Sequence, residues 1–307
     1  MPMKLVTKED DDKLTISRVF YAKRFDLIVD KKICKGCVLC QLVCPRKAIT
    51  VKSVLENPDG KANASIIKVD VEKCDYHGEC AIICPFGAIK IMVDGEEKFP
   101  VVEKEAFPLL IRDIKIDEER CEPECIICEE KCPLDAITVR FQDLTAKEME
   151  ERKKKKLPET AQRTIVDIKK NLCAACRICE AECPAGVIQV TKFFEGSLEI
   201  DQKLCPEGCQ NCYDVCPVDA LSLDKDGKVD VKDKFCIYCG ACVNVCPNLE
   251  ALKLNRTSIR HTPIQSGAWN KALEELTSTV GLKKELRNKR TIKARNAIKN
   301  LKLTKGE

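Results

Sequence analysis

Twenty-three of the 307 residues are cysteine, and their spacing is what could do chemistry. They fall into six short runs, each closing on Cys-Pro and followed by a short apolar stretch. CKGCVLCQLVCP holds Cys34, Cys37, Cys40 and Cys44, and CDYHGECAIICP holds Cys74, Cys80 and Cys84. CEPECIICEEKCP holds Cys121, Cys125, Cys128 and Cys132, and CAACRICEAECP holds Cys173, Cys176, Cys179 and Cys183. CPEGCQNCYDVCP holds Cys205, Cys209, Cys212 and Cys216, and CIYCGACVNVCP holds Cys236, Cys239, Cys242 and Cys246. Thiols this close on a turning chain can aim their sulfurs at one inorganic centre if they stay reduced. The N-terminal MPMKLVTKEDDDKLTISR has no apolar signal core, and no apolar run is long enough to cross a bilayer. The expected setting is therefore cytoplasmic, where dense cysteine means metal rather than disulfides.

The spacing resembles the bacterial-ferredoxin run C-x2-C-x2-C-x3-C-P, in which three cysteines hold one [4Fe–4S] cube and the fourth reaches the neighbouring cube. Zinc sites use two C-x2-C knuckles across a longer spacer, a pattern these runs do not follow. The third and fifth runs contain C-x3-C-x2-C, which is also the radical-SAM spacing, but each has its own closing Cys-Pro and sits in a repeat. Six cubes closed by protein need 24 ligands, one more than the 23 cysteines. In the second run His77 falls at the missing position, and the chain has only two histidines. Three other readings stand beside ligation by His77. It is an exposed turn residue next to a three-iron cluster, or Asp75 binds instead, or water or hydroxide completes the fourth iron. A neutral imidazole in place of a thiolate raises a cluster's potential, as in Rieske centres. His261 has no cysteine neighbours in sequence and reads as an ordinary surface or hydrogen-bonded histidine.

The crossover rule pairs the runs and assigns ligands. One cube takes Cys34, Cys37, Cys40 and Cys84, and its partner Cys74, His77, Cys80 and Cys44. The middle pair uses Cys121, Cys125, Cys128 with Cys183, and Cys173, Cys176, Cys179 with Cys132. The last uses Cys205, Cys209, Cys212 with Cys246, and Cys236, Cys239, Cys242 with Cys216.

The elements that position these ligands follow from the intervening residues. DALSLDKDGKVDVKDKFC alternates apolar residues around Asp226-Gly227 and predicts a β-hairpin between the fifth and sixth runs. The stretches Ala48–Val51, Ala88–Val93, Ala136–Val139 and Val187–Val190 predict strands packed around the cubes. An alternative pairing would bridge the fourth and fifth runs through VIQVTKFFEGSLEI. The expected fold is α+β: three tandem bacterial-type 2[4Fe–4S] ferredoxin-like domains with a helical, basic C-terminal extension. The boundaries are an N-terminal extension 1–20, domains at 21–100, 101–200 and 201–256, and a tail 257–307. Thr145 and Glu148 form a capping box for a helical insertion at about 143–160. Aromatics are 5% and charged residues 33%, and each domain is near the size at which an apolar core is marginal. The cubes then supply the missing core, and folding and cluster assembly are one event.

In the tail, Trp269, Leu273, Leu276 and Val280 recur at helical spacing, and LKKELRNKRTIKARNAIKNLK is strongly basic. The basic arm suits an acidic partner subunit. The net charge of +4 is too balanced for nucleic acid as a global partner, and nothing reads as a nucleic-acid module. No acid–base pair, nucleophile constellation or phosphate loop is present; DKDGK is neither an EF-hand nor a P-loop. The chain reads as a non-catalytic carrier of single electrons between protein partners.

These repeats resemble the archaeal polyferredoxins, and CPNLEALKLNRTSIRHTPIQSGAWNKALEELT, Cys246–Thr277, is similar to the end of the polyferredoxin subunit of formylmethanofuran dehydrogenase. The six runs give six [4Fe–4S] clusters, and the resemblance implies that they deliver low-potential electrons within a cytoplasmic multi-subunit complex to a tungsten or molybdenum pterin subunit that reduces CO2. Family members of this kind carry eight cluster motifs, and this chain has six. Its alternatives are a polyferredoxin of a hydrogenase or heterodisulfide reductase assembly, a protein with an open catalytic cluster near His77, and an iron–sulfur scaffold.

Overall fold

The computed structural model describes residues 3–52, 67–158, 160–279, 281–284, 286, 287 and 291. One order of elements (strand, short helix, hairpin, short helix, strand) recurs three times. The first passage is preceded by β1 (Lys4–Glu9) and β2 (Lys13–Val19) and contains β3 (Arg24–Asp30), α1 (Leu39–Val43), β4 (Ile49–Val51), β5 (Ile67–Val69), α2 (Glu79–Ile82) and β6 (Ile89–Val93). β7 (Glu96–Glu97) and α3 (Pro100–Glu103) follow. The second has β8 (Asp113–Ile116), α4 (Ile127–Glu130), β9 (Ile137–Asp143), α5 (Ala146–Lys154), β10 (Gln162–Ile168), α6 (Ile178–Glu182) and β11 (Ile188–Thr191). The third has β12 (Phe194–Ile200), α7 (Asn211–Asp214), β13 (Leu221–Leu223), β14 (Val229–Val231), α8 (Ala241–Val245) and β15 (Leu252–Ile259), and α9 (Gly267–Thr277) follows it.

In each passage the strand before the first cysteine run pairs antiparallel with the strand after the second. The pairs are β3 with β6, β8 with β11, and β12 with β15. The inner strands form the hairpins β4–β5, β9–β10 and β13–β14. The hairpin expected around Gly227 is β13–β14; Gly227 takes φ +74°, and Asp224 accepts from the Asp226 and Lys228 N–H groups at 2.9 and 2.8 Å. VIQVTKFFEGSLEI forms no hairpin of its own, because β11 pairs with β8 and β12 with β15. Gly196 sits at a register shift in β12, where a Cβ would come within 2.0 Å of the Asn255 carbonyl oxygen, so only glycine lets the strands approach.

Residues 194–200, placed with the middle domain on sequence, supply the outer strand of the last passage, because that strand closes against the one after the sixth run. The first twenty residues are likewise not set apart: β1 and β2 extend one sheet in the order β1-β2-β3-β6-β7, with Leu14 and Ile16 buried. The insertion is helix α5, and its capping box forms, Thr145 Oγ1 accepting from the Glu148 N–H while Glu148 accepts from the Thr145 N–H.

The tail begins as strand and then turns back over the molecule. Trp269 and Leu276 are buried on α9, and Phe107 meets Trp269 edge-on with centroids 4.8 Å apart. Beyond it Leu282 and Leu286 are buried, Lys283 reaches Glu250 at 2.9 Å, and Arg287 also pairs with Glu250. This part of the basic segment, expected on an acidic partner, lies on the chain's own acid. Val280 and nearly all of 288–307 are outside the described residues. Among the described residues no helix is long and apolar enough to cross a membrane.

Candidate iron–sulfur sites

The cysteine loops are built from residues in the left-handed region. Each of the three C-x2-C loops and the C-x2-H loop of the second run has two, at the second and fourth positions after its first cysteine: Gly36 and Val38, Tyr76 and Gly78, Ala175 and Arg177, Tyr238 and Gly240. The two C-x3-C loops use one, Glu124 and Gly208, because the extra residue makes part of the turn. Non-glycine residues pay roughly 1 to 2 kcal/mol for this conformation, strain of the kind that collects at functional sites. The turns face the sulfurs inward, and a helix of four or five residues then carries the next-to-last cysteine of each run, Cys40, Cys80, Cys128, Cys179, Cys212 and Cys242. Its partner helix packs alongside, α1 with α2, α4 with α6 and α7 with α8.

The foursomes expected from the crossover rule come together around four similar cavities. Cys34, Cys37, Cys40 and Cys84 line one. Cys44, Cys74, His77 and Cys80 line a second, Cys121, Cys125, Cys128 and Cys183 a third, and Cys216, Cys236, Cys239 and Cys242 a fourth. In the other two sets Cys132 faces Cys173, Cys176 and Cys179, and Cys246 faces Cys212. None of the 23 cysteines is in a disulfide. They ring a volume rather than converge on a point: among the described residues no three His, Cys, Asp or Glu side chains form a single-ion site.

Burial pushes the Cys34, Cys74 and Cys236 thiols up to about 11 and Cys239 up to about 12, while Cys37, Cys40, Cys80 and Cys242 rise well above the ordinary range. Neighbouring cysteines push most of them in the same direction. Such thiols hold their protons at neutral pH unless a cationic centre replaces them, so the donor set fits [4Fe–4S] clusters, whose uptake releases protons.

His77 shares its cavity with three cysteines, but its side chain is 39% exposed. Its Nδ1 lies 4.0 Å from Glu79, and its carbonyl accepts from the Val101 N–H at the start of α3. Asp75, the other oxygen or nitrogen ligand considered, is held in ion pairs by Arg46 at 3.3 Å and Arg18 at 3.6 Å. His261 is far from any thiol: Trp269 Nε1–H donates to its Nε2 at 3.2 Å, so Nδ1–H donates to the Thr262 carbonyl at 2.7 Å.

Two sets of residues were not singled out from sequence. The N–H groups of Ala48, Ala88, Ala136 and Ala220 each donate at 3.3 Å to the closing cysteine sulfur four residues earlier. Hydrogen bonds to sulfur are among the factors that set cluster potentials, and the pattern Cys-Pro-x-x-Ala in these four runs would have revealed them. The second set is Arg112 and Arg256. Both insert between cysteine loops distant in sequence and donate to the carbonyls of cysteines.

Two segments, 33–88 and 197–247, match family models described as 4Fe-4S dicluster domains. The chain is 36% identical over 101 residues to the polyferredoxin-like subunit of aliphatic sulfonate oxidoreductase from Pyrococcus furiosus, covering 29% of this chain and 57% of that one. It is 32% identical over 110 residues to polyferredoxin protein MvhB from Methanothermobacter marburgensis, covering 33% of this chain and 25% of that one. The matched parts thus fall short of these relatives' full lengths. Among solved structures, a chain of the formate dehydrogenase–heterodisulfide reductase–formylmethanofuran dehydrogenase complex from Methanospirillum hungatei superposes with a TM-score of 0.77 at 36% identity, covering 90% of this chain and 92% of that one. With two dicluster domains and an end-to-end match to a chain of a redox complex, the protein belongs to the polyferredoxin family of iron–sulfur electron-transfer proteins.

Proposed function

We propose that this chain is a polyferredoxin subunit of a multi-subunit oxidoreductase, with six [4Fe–4S] clusters in three dicluster units, and that it delivers low-potential electrons to a formylmethanofuran dehydrogenase. The observation that carries the partner assignment is the match over 90% of this chain and 92% of a chain from the Methanospirillum complex. The threefold order of elements supports a middle unit between the two matched segments. Its outer strands β8 and β11 and inner hairpin β9–β10 repeat the pairing of the other two passages.

The ligand sets are those of the crossover rule, including His77 with Cys44, Cys74 and Cys80; the shared cavity and the ion-paired state of Asp75 support the histidine. When bound, the clusters supply one-electron redox chemistry at iron. The protein's part is to hold the thiolates, direct N–H groups at the sulfurs and keep water from the inner sites. A heterodisulfide reductase partner is the second reading, since that enzyme belongs to the same Methanospirillum complex.

The test is anaerobic affinity isolation of the native protein, with metal analysis. About 24 irons and as many sulfides per chain are expected if six cubes are present, with tungsten or molybdenum pterin in the co-isolated subunits. A preparation whose partners contain heterodisulfide reductase and no pterin metal overturns the primary assignment in favour of the second.

A further inference from the structure

The first and last cysteine runs, some two hundred positions apart, meet around a buried cation. Arg256 lies on β15 and is 3% exposed. Its Nε donates to the Tyr238 carbonyl at 2.7 Å, Nη2 to the Cys239 carbonyl at 3.0 Å and Nη1 to the Leu276 carbonyl at 2.9 Å, and its guanidinium carbon lies 5.9 Å from the Phe194 ring centre. A Cβ at Gly240 would stand 3.2 Å from Arg256 Nη2 and 3.7 Å from the Cys37 carbonyl oxygen, so motif 1 and motif 6 touch at this point. Asn244 on α8 clamps the contact, donating to the Gly36 carbonyl at 3.0 Å and the Lys52 carbonyl at 3.3 Å.

Arg112 repeats the arrangement between motif 4 and the end of motif 2, whose closing Cys84 shares a cavity with Cys34, Cys37 and Cys40 of motif 1. Its Nη2 donates to the Cys84 carbonyl at 2.9 Å, and Nη1 donates to the Pro85 carbonyl at 3.0 Å and to that of Cys173; the guanidinium carbon lies 5.1 Å from the Phe193 ring centre. Among the described residues neither arginine has a carboxylate within ion-pair distance, and every acceptor above is a neutral carbonyl. The ionisable groups facing Arg256 are Cys239, Cys37, Cys242 and Cys236, and those facing Arg112 are Cys84 and Cys173.

A desolvated, unpaired guanidinium is costly, and arginine does not escape the cost by losing its proton. Anionic thiolate clusters on either side would neutralise it. We infer that Arg256 and Arg112 are potential-setting residues placed between cluster sites. Arg256 lies between the site of Cys34, Cys37, Cys40 and Cys84 and that of motif 6, and Arg112, through Cys84, between the same site and that of motif 4. The site of Cys34, Cys37, Cys40 and Cys84 is thus the junction flanked by both. This rests on the proposed cluster content. Reduction adds one negative charge to a cluster, and a fixed cation nearby favours that state. An electron crossing the junction leaves one cluster oxidised by one electron and its neighbour reduced by one, with no bond or proton exchanged.

The test is an EPR-monitored redox titration, with iron counted on each sample, of the full chain and of Arg256→Gln, Arg256→Lys, Arg112→Gln and the Arg112→Gln/Arg256→Gln double variant. Each glutamine variant is expected to lower two potentials by a roughly tenfold shift in the reduction equilibrium, about 59 mV for a one-electron couple. The double variant is expected to shift three clusters, one of them by about the sum. Arg256→Lys, which keeps the charge, is expected to retain wild-type potentials. Full iron with no shift in Arg112→Gln overturns the proposal even if Arg256→Gln fails to load. Four shifted clusters in the double variant, or a Lys variant that falls like Gln, also overturns it. A wild-type sample lacking [4Fe–4S] signals fails the functional reading itself, a result distinct from intact signals that do not move.

Discussion

Motifs 2 and 6 are built alike and differ at the residue that matters. In CDYHGEC and CIYCGAC the buried tyrosines Tyr76 and Tyr238 both take the left-handed conformation, as do Gly78 and Gly240 two residues later. Each tyrosine ring lies near a cation, Arg18 at 5.4 Å and Lys192 at 5.0 Å. Between them one loop presents His77, which is half-buried, and the other Cys239, which is buried. The backbone that aims a fourth ligand is thus the same in both, and the chemistry and solvent access of that ligand are what vary. Motif 6 is closed over by Arg256 and by α9 behind it. Motif 2 is flanked by the short helix α3, tied to the His77 carbonyl, and by Arg18 of β2.

The largest effect expected from this comparison is at the fourth ligand. Cys239→Ala should cost one whole cluster and much of the local fold, because the buried site has no other donor and no solvent to substitute. His77→Ala should cost less, leaving a three-iron signal in a site that water reaches. His77→Cys sharpens the contrast: one potential should fall by on the order of 100 mV, since two histidines separate Rieske from plant-type potentials by at least about 250 mV. Redox titration with iron analysis checks all three. Unchanged potentials in His77→Cys would show that imidazole does not bind iron and that the two sites differ only in exposure.

A smaller effect is expected at the glycines. Either alanine is strained by its positive φ, typically by about 1 to 3 kcal/mol. At Gly78 the new Cβ meets the half-buried Phe99, whose ring edge is 3.3 Å away. At Gly240 it meets Arg256 Nη2 and Leu254, both at 3.2 Å and both locked in the core. Gly240→Ala should therefore be the more destabilising in anaerobic denaturation followed by cluster absorbance; equal losses would mean that backbone strain alone governs both loops.

The parts of this comparison visible in sequence are the local ones. Cysteine spacing fixes a ligand loop within a dozen or so positions, and Asp226-Gly227 or Thr145 with Glu148 fixes a turn or a cap within four, so those elements form where their residues stand. What sequence reading missed depends on contacts between distant segments. β1 and β2 carry no cysteine, yet they complete the first sheet, and Lys283 and Arg287 at the start of the basic segment pair with Glu250. Arg256 did leave a trace: Leu252, Leu254 and Arg256 alternate inward along β15, an arginine on the buried face of a strand. Its partners on motif 1 could be read only from the packing.

The smallest expected effect separates the two tyrosines. Tyr238 Oη donates to Asp233 at 3.0 Å, whereas Tyr76 Oη is buried with no hydrogen-bond partner among the described residues. Burial raises both phenols, Tyr76 to about 12, and at Tyr238 the Asp233 carboxylate adds to the rise, so both are neutral at physiological pH and act only as donors or as apolar bulk. Tyr238→Phe gives up a hydrogen bond to a charged group, roughly 1.5 to 3 kcal/mol, and leaves Asp233 to water; Tyr76→Phe removes a stranded hydroxyl and should be neutral or stabilising. Because neither change touches a proposed ligand, cluster content should match wild type in both, and the difference should appear only in denaturation midpoints. A loss at Tyr76→Phe equal to that at Tyr238→Phe would mean that the Tyr76 hydroxyl has a partner when the neighbouring cluster is bound, and that the two loops are alike in this respect too.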